Sequence, residues 1–131
     1  MILREFQNFL KDWKGMSSLG KKGEDLASEY LRKKGYKVMA RNYKTRLGEI
    51  DIIAEKDNVI VFVEVKTRSN NSFGCPFEAV HQKKRQKLKN VALLYLKRYK
   101  RHYPVQFDVL SITLMGNNNP VIEHITNAFE C

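Results

Sequence analysis

The segment from Gly48 to Lys66 constrains the fold more than any other part of this chain. It contains two short runs rich in Ile, Val and Phe, joined by the residues Glu55-Lys56-Asp57-Asn58. Runs of this length and composition, bounded by turn residues, are typical of β-strands. Asp57 and Asn58 both tolerate the backbone angles of a tight turn, so the segment predicts a β-hairpin.

The charged residues of this hairpin do not fit a plain structural role. Side chains alternate along a strand, so Glu49 and Asp51 share one face of the first strand. Glu64 and Lys66 likewise share a face of the second strand. Buried carboxylates cost several kcal/mol unless they are paired or bound to a metal ion, and one lysine does not neutralise two of them. Asp51 and Glu64 are therefore candidate oxygen ligands for Mg²⁺, with Lys66 beside them.

A Glu-x-Lys pattern is also common on solvated strand faces, where it carries no chemistry. The alternative for this hairpin is therefore an ordinary exposed strand, and the rest of the chain has to decide between the two. The role of Glu49 also stays open. It could contact a metal ligand, or it could form a structural ion pair with a nearby arginine.

The chain predicts one globular domain preceded by a short helical extension. Its 131 residues, 43% of them hydrophobic, are enough to form a single core. Apolar residues at helical spacing over 2–13 predict an amphipathic helix, which Gly15 separates from the next element. We therefore expect an N-terminal helical extension over 1–16 and the folded domain over 17–131.

Several features predict a cytoplasmic protein that does not enter a membrane. No apolar run approaches the roughly 20 residues that a membrane span needs. The charged N-terminus has no small-residue cleavage site of the kind found in secretory signals. Cys75 and Cys131 form neither a CxxC nor a zinc-binding spacing, which indicates free thiols in a reducing compartment.

The charge of the chain points to a polyanionic partner. The net charge is +10, and all 24 Lys and Arg residues lie within residues 1–101 together with 11 of the 14 acids, which leaves that portion at +13. Residues 102–131 contain no Lys or Arg. This asymmetry is typical of a nucleic-acid-binding face. An anionic membrane surface ranks lower, because no basic amphipathic helix exposes large apolar residues.

The remaining pattern predicts further helices and strands around the hairpin. A helix over 19–34 ends at Gly35 and carries Glu24 toward its inner face, and its core stripe is Ala27, Tyr30 and Leu31. A strand over 36–41 is followed by a basic loop over 41–46. A long basic helix over 77–101 has an apolar face that includes Tyr99, and strands over 105–114 and 121–126 follow, the last at a sheet edge.

This order of elements and acids resembles the restriction-endonuclease-like superfamily, whose signature is an acid followed by (Asp/Glu)-x-Lys on the next strand. Here those positions are Asp51 and Glu64-Val65-Lys66. The chain resembles the YraN-like family of predicted bacterial nucleases more closely. That resemblance rests on GKKGEDLASEYL at 20–31, RN at 41–42, GEIDIIA at 48–54, VFVEVKTR at 61–68 and FGCPFEAV at 73–80. The chain is similar, more distantly, to archaeal Holliday-junction resolvases.

The resemblance implies a three-layer α/β fold with a mixed central sheet flanked by helices, and a Mg²⁺- or Mn²⁺-dependent endonuclease. Asp51, Glu64 and the Val65 carbonyl would hold the metal ion, and Lys66 would orient or deprotonate the attacking water. Glu24 would complete the metal shell. Residues that would contact DNA phosphates are Lys21, Lys22, Arg68, Lys83, Lys84 and Arg85.

The substrate implied by the resemblance is DNA, with branched structures among the candidates, and a homodimer would give the helix over 2–13 a partner. Two other functions stay open. A nucleic-acid-binding module could retain this fold without cutting, and a basic RNA- or ribosome-associated protein would explain the charge but not the buried carboxylates.

Overall fold

The computed structural model describes residues 19–69, 82–100, 102–114 and 119–129. Within these ranges the chain forms two helices and five strands. They are α1 (Leu19–Lys33), β1 (Lys37–Thr45), β2 (Gly48–Lys56), β3 (Val59–Arg68), α2 (Gln82–Arg98), β4 (Val105–Thr113) and β5 (Val121–Phe129). The predicted order of helix, three strands, helix and two strands is confirmed. The predicted helix over 2–13 lies outside the described residues.

The strands form one mixed sheet in the order β1-β2-β3-β4-β5. Neighbouring strands are antiparallel except β3 and β4, which run parallel. A parallel pair needs a long crossover, and α2 lies in the segment that connects these two strands. The predicted position of the last strand at a sheet edge is confirmed.

Each helix covers one face of the sheet, so the core has two halves. On the first face α1 buries Leu26, Ala27 and Leu31 against Ile52, Ala54, Val61, Val63, Leu110 and Ile112. On the second face α2 buries Leu88, Val91, Ala92 and Tyr95 against a set that includes Ile50, Ile53, Ile60, Phe62 and Phe107. The fold is therefore a three-layer α/β arrangement with a mixed central sheet. The predicted fold class is confirmed, since this open sheet is consistent with a restriction-endonuclease-like fold.

Local chain chemistry sets the turns and helix ends. Asp57 and Asn58 connect β2 to β3 with φ of 51° and 63°, the left-handed conformation that a two-residue hairpin loop requires, so the predicted hairpin is confirmed. Gly35, with φ of 93°, ends α1. The N–H groups of Gly35 and Tyr36 donate to the carbonyls of Arg32 and Leu31, which satisfies the helix C-terminus. Neither described helix is long and apolar enough to cross a membrane.

Three predicted boundaries were wrong. β1 continues through the expected basic loop to Thr45, because it pairs with β2 as far as the Thr45–Gly48 contact and leaves Arg46 and Leu47 as the turn. β5 continues to Phe129, whose ring stacks on Phe107 of β4. Within the described residues α2 ends at Arg98, which leaves Tyr99 half exposed rather than on the buried face.

A buried acid on the α1 side is fully accounted for by local partners. Asp108 lies 2.7 Å from His124 Nε2 and accepts hydrogen bonds from Gln106 Nε2 at 2.9 Å and from the Asn127 N–H at 3.1 Å. Asn127 adopts φ of 51°, and the β4–β5 register shifts between Phe107 and Val109. This irregularity turns the backbone amide of β5 toward the carboxylate, which offsets its desolvation.

Candidate metal centre

The central hairpin opens into a fork at the residues that the sequence singles out. β2 and β3 pair from Lys56–Val59 to Ile52–Val63, and the paired register stops there. Beyond this point β2 continues along β1, while β3 continues along β4. Asp51 and Glu64 are the first residues past the last pair, so both stand where the two strands separate. The Val65 N–H donates a 2.8 Å hydrogen bond to Asp51 Oδ2 across the gap.

The direction of the Asp51 side chain depends on a break in strand alternation. Ile50 packs in the core on the α2 side, whereas Ile52, two residues later, packs on the α1 side. Residues two apart in a regular strand would share a face, so the alternation shifts at Asp51. On β1, Asn42 occupies the opposite register position and has φ of 51°. The paired irregularity places Asp51 at the fork rather than in the apolar core.

Three carboxylates from two elements meet beside this fork. Oxygens of Glu24 on α1 and of Glu49 and Asp51 on β2 all lie within 4.8 Å of one another. Carboxylate oxygens are the ligands that hard divalent cations prefer, so this cluster could hold a metal ion. The prediction that Glu49 and Asp51 share a face agrees with this grouping.

A close contact between α1 and β3 fixes the position of Glu24. A Cβ atom on Gly23 would lie 1.7 Å from Thr67 Oγ1 and 2.8 Å from Thr67 Cβ, so no larger residue fits there without movement. Glycine thus allows the first turns of α1 to approach β3 directly. Since Glu24 follows immediately, this approach determines how near its carboxylate comes to Asp51.

Glu64 forms the other half of the site and is held by two lysines. It is only 4% exposed, and its Oε2 lies 3.7 Å from Lys66 Nζ and also contacts Lys84 Nζ from α2. Its carboxylate also interacts with Asp51, by a hydrogen bond and by charge repulsion. Asp51 therefore belongs to both groups, with Glu24 and Glu49 on one side and Glu64 on the other.

The electrostatics of the fork favour a bound cation. Burial, and then the neighbouring Glu64, raise the pKa of Asp51 to about 8, which overcomes the opposing Val65 hydrogen bond. Burial also raises the pKa of Glu24, and the hydrogen bond from Asn42 partly offsets this. Burial and the nearby carboxylate disfavour the ionised form of Asp51. A cation bound beside Asp51 would stabilise that ionised form. The oxygen donors present therefore fit a hard divalent ion.

The two lysines respond to the site in opposite directions. Burial, followed by the nearby Lys84, lowers the pKa of Lys66 below its ordinary value despite Glu64. Burial is the largest single influence and acts to lower the pKa of Lys84, but the hydrogen bond and charge of Glu64, together with Lys66 and Asp51, outweigh it and raise the pKa. Lys66 is therefore the lysine that loses its proton more easily, and Lys84 is the persistent counter-ion of Glu64.

The structure brings together the four residues predicted to be catalytic, Glu24, Asp51, Glu64 and Lys66. Val65 lies at the same gap, and because the N–H and C=O of one strand residue face the same edge, its carbonyl is on the β2 edge of β3 as well. The residues predicted to contact phosphates are dispersed. Lys21 and Lys22 lie in the first turns of α1, Arg68 ends β3, Lys83 is exposed on α2, Lys84 contacts Glu64, and Arg85 lies over the Phe129 ring.

Two features of the site were missed by the sequence reasoning. Asn42 was assigned to a basic loop and to the RN motif at 41–42 without a role, although its hydrogen bond to Glu24 places it at the site. Lys84 was considered only as a phosphate contact. Its spacing held a usable signal, because it lies one helical turn before Leu88 and so on the buried stripe of α2.

Comparison with known proteins identifies the family. The family model described as uncharacterised protein family UPF0102 matches residues 23–112. The chain belongs to the UPF0102 family. A UPF0102 protein of Syntrophomonas wolfei is 54% identical over 112 residues, which cover 85% of this chain and 96% of that protein. Another, of Thermodesulfovibrio yellowstonii, is 51% identical over 111 residues, covering 85% of this chain and 95% of that protein.

The UPF0102 match covers the whole candidate site. Residues 23–112 include Glu24 on α1, the β2–β3 fork and Lys84 on α2. A third relative, from Dictyoglomus thermophilum, is 42% identical and covers 85% of this chain and 96% of its own length. The predicted resemblance to the YraN-like family is confirmed as family membership, since the matching family, UPF0102, is that family.

Proposed function

We propose that this UPF0102 protein is a metal-dependent endonuclease that hydrolyses phosphodiester bonds in DNA. The observation that carries the proposal is the fork between β2 and β3, where carboxylates from three elements and Lys66 converge. A chain with a net charge of +10 supplies the electrostatic attraction for a polyanionic substrate. A buried acidic fork in such a basic chain is what a phosphate-cleaving site requires.

The metal ion of this proposal is Mg²⁺ or Mn²⁺. Asp51, Glu64 and the Val65 carbonyl would hold it from the two strands, and Glu24 would complete the shell from α1. Glu49 belongs to the same cluster and would act as a further ligand or through a bound water. When bound, such an ion stabilises negative charge on the phosphoryl oxygens and lowers the pKa of bound water.

Lys66 is the residue that handles the attacking water in this proposal. Its ammonium lies 3.7 Å from Glu64 Oε2, beside the ligands, and burial lowers its pKa. A lysine whose pKa is lowered reaches its neutral, proton-accepting form more readily, so Lys66 would orient the water and deprotonate it as it attacks phosphorus. The same ammonium then stabilises the developing negative charge.

The substrate proposed is DNA, with branched structures as candidates alongside linear duplex. Lys21, Lys22, Arg68, Lys83 and Arg85 would contact phosphates, which positions the substrate without reading its sequence. Lys84 would reach a phosphate once a metal ion takes over the charge of Glu64. A cytoplasmic setting and a homodimer are parts of the same proposal.

A second function has an observation in its favour. Glu64 is neutralised by both Lys66 and Lys84, so half of the acidic fork is satisfied without a metal ion. A protein that uses the fork only for structure, and its basic surface for binding nucleic acid, would show the same pairing. The two functions differ in whether Asp51 is needed for cleavage.

Cleavage assays separate the two functions. Branched, flapped and linear DNA would be incubated with the protein in Mg²⁺, Mn²⁺ or a chelator, and products resolved on denaturing gels. Asp51→Asn should reduce cleavage by orders of magnitude while binding in chelator is retained, because it removes a ligand and keeps the shape of the side chain. The matched control is Asp57→Asn, which makes the same change at the exposed hairpin turn.

Each result has a clear reading. Metal-dependent cleavage that is lost in Asp51→Asn and kept in Asp57→Asn supports the nuclease. Binding without cleavage in every metal and on every substrate supports the binding module. Cleavage by Asp51→Asn at the parental rate rejects the fork as the active site.

A further inference from the structure

A polar cleft lies between α1 and β1, beside Glu24. It has a volume of about 570 Å³, and its walls include Lys21, Glu24 and Asp25 from α1 and Arg41, Asn42 and Lys44 from β1. It is open to solvent along one side. Because Glu24 lines the cleft and is also a member of the carboxylate cluster, a group held in the cleft lies directly beside the candidate metal centre.

The left-handed conformation of Asn42 builds this cleft. Arg41 and Asn42 both line it, although consecutive residues of a regular strand face opposite sides. Asn42 has φ of 51°, which brings the two side chains to the same side. Asparagine tolerates the left-handed backbone conformation better than most residues do. Such conformations in residues other than glycine are concentrated at functional sites.

Fixed contacts hold the inner wall in place. Arg41 Nη2 forms an ion pair with Asp25 Oδ1, and the Asn42 side chain hydrogen-bonds to Glu24. Asn42 therefore positions Glu24 between the cleft and the metal centre. A wall whose side chains are already paired needs little ordering when a ligand arrives, which favours binding.

The charge of the cleft suits a phosphate. Its walls carry three cations and two carboxylates, so it is positive even before a metal ion takes up the charge of Glu24. Asp25 is already neutralised by Arg41. Lys44 is exposed and lies in register opposite Glu49, which places its ammonium on the same face as the carboxylate cluster.

We propose that this cleft binds a phosphate of the cleaved DNA strand next to the scissile one, with Lys44 as its main contact and Lys21 as a second. The proposal rests on the nuclease function and specifies the path of the strand across the site. Lys84 of α2 contacts Glu64, whereas Lys44 lies on the face that carries the carboxylate cluster, so the cleft supplies phosphate contacts in addition to those proposed on β3 and α2. The strand therefore runs over β1 toward the metal centre.

Binding in chelator tests the cleft without any chemistry. Fluorescently labelled duplex and branched DNA would be titrated with parent, Lys44→Ala and Lys37→Ala proteins at several salt concentrations. Lys37 is the matched control, because it is an exposed lysine at the opposite end of β1. Loss of one phosphate contact should weaken binding about 3- to 10-fold and lower the slope of log affinity against log salt by about 0.9. Equal losses from both variants would overturn the proposal.

Neutral phosphate substitutions locate the contact on the strand. Single methylphosphonates would be placed at each position within three phosphates of the cut, and cleavage rates compared for parent and Lys44→Ala. At one neighbouring position the substitution should slow the parent by about 10-fold and Lys44→Ala much less, since the contact is already lost. Additive effects at every position would reject the cleft as the neighbouring phosphate site.

The two measurements keep this proposal separate from the nuclease proposal. If DNA is bound but never cut, the nuclease function is rejected. The difference in DNA affinity between Lys44→Ala and Lys37→Ala still decides whether the cleft binds phosphate. If cleavage depends on Asp51 while Lys44→Ala binds DNA as Lys37→Ala does, the proposed phosphate site in the cleft is rejected and the nuclease function is supported.

Discussion

When no metal ion is bound, the Asp51 carboxyl should destabilise the folded protein. Replacing it with a side chain that does not ionise should therefore raise the free energy of unfolding. Burial and Glu64 raise the pKa of Asp51 from 3.8 to about 8 in the folded protein. Because the folded pKa is above the unfolded value, protonation favours folding. The stabilisation is fully present below pH 3.8 and is lost as the pH rises to about 8.

The size of the effect depends on the pKa difference. One pKa unit corresponds to about 1.4 kcal/mol. At pH 7 the raised pKa therefore lowers the free energy of unfolding by up to about 4 kcal/mol, compared with a variant that has no ionisable group at this position. Because partial hydration of the fork screens the charge of Asp51, we expect Asp51→Asn to raise the free energy of unfolding by about 1–3 kcal/mol at pH 7. The asparagine oxygen still accepts the Val65 hydrogen bond, so that contact is retained.

Urea unfolding in chelator from pH 5 to 9 measures this directly. The advantage of Asp51→Asn over the parent should grow with pH and level off above about pH 8, and Asp57→Asn should show no such trend. Adding Mg²⁺ should stabilise the parent and leave Asp51→Asn nearly unchanged, since ligand binding stabilises only the protein that binds it. If Asp51→Asn is less stable than the parent across this range, Asp51 is a structural partner and the electrostatic reasoning is wrong.

Three further expectations concern the same site. Gly23→Ala should lower stability by about 1–3 kcal/mol through the clash with Thr67, and Thr67→Ala added to it should restore part of the loss in thermal melts; no recovery would mean that the two residues do not meet. Lys84→Met should lower the melting temperature in chelator, because Glu64 loses a counter-ion, and should tighten Mg²⁺ binding in calorimetry; weaker Mg²⁺ binding would instead make Lys84 a support of the site. Mg²⁺ affinity should rise with pH up to about 8 as Asp51 loses its proton, and a pH-independent affinity between pH 6 and 8 would exclude Asp51 as a ligand.

The sequence by itself determined most of the local structure. Local sequence alone predicted the strands from runs of β-branched residues, the turn from Asp57-Asn58 and the end of α1 from Gly35. The structure contains each of these features. The Glu-x-Lys pattern with an acid on the preceding strand was also readable, because strand alternation fixes which side chains share a face. That information lies within single elements or within two strands that are adjacent in sequence.

The tertiary structure decided the rest. β1 extends to Thr45 because β2 offers it a partner, and the residues concerned had looked like a basic loop. The pKa of Asp51 depends on how deeply the fork is buried and how near Glu64 stands, which no local pattern contains. The contact of Lys84 with Glu64 and the cleft beside Glu24 join elements distant in sequence. Such proximities arise from packing between layers, and side-chain periodicity along one element does not encode them.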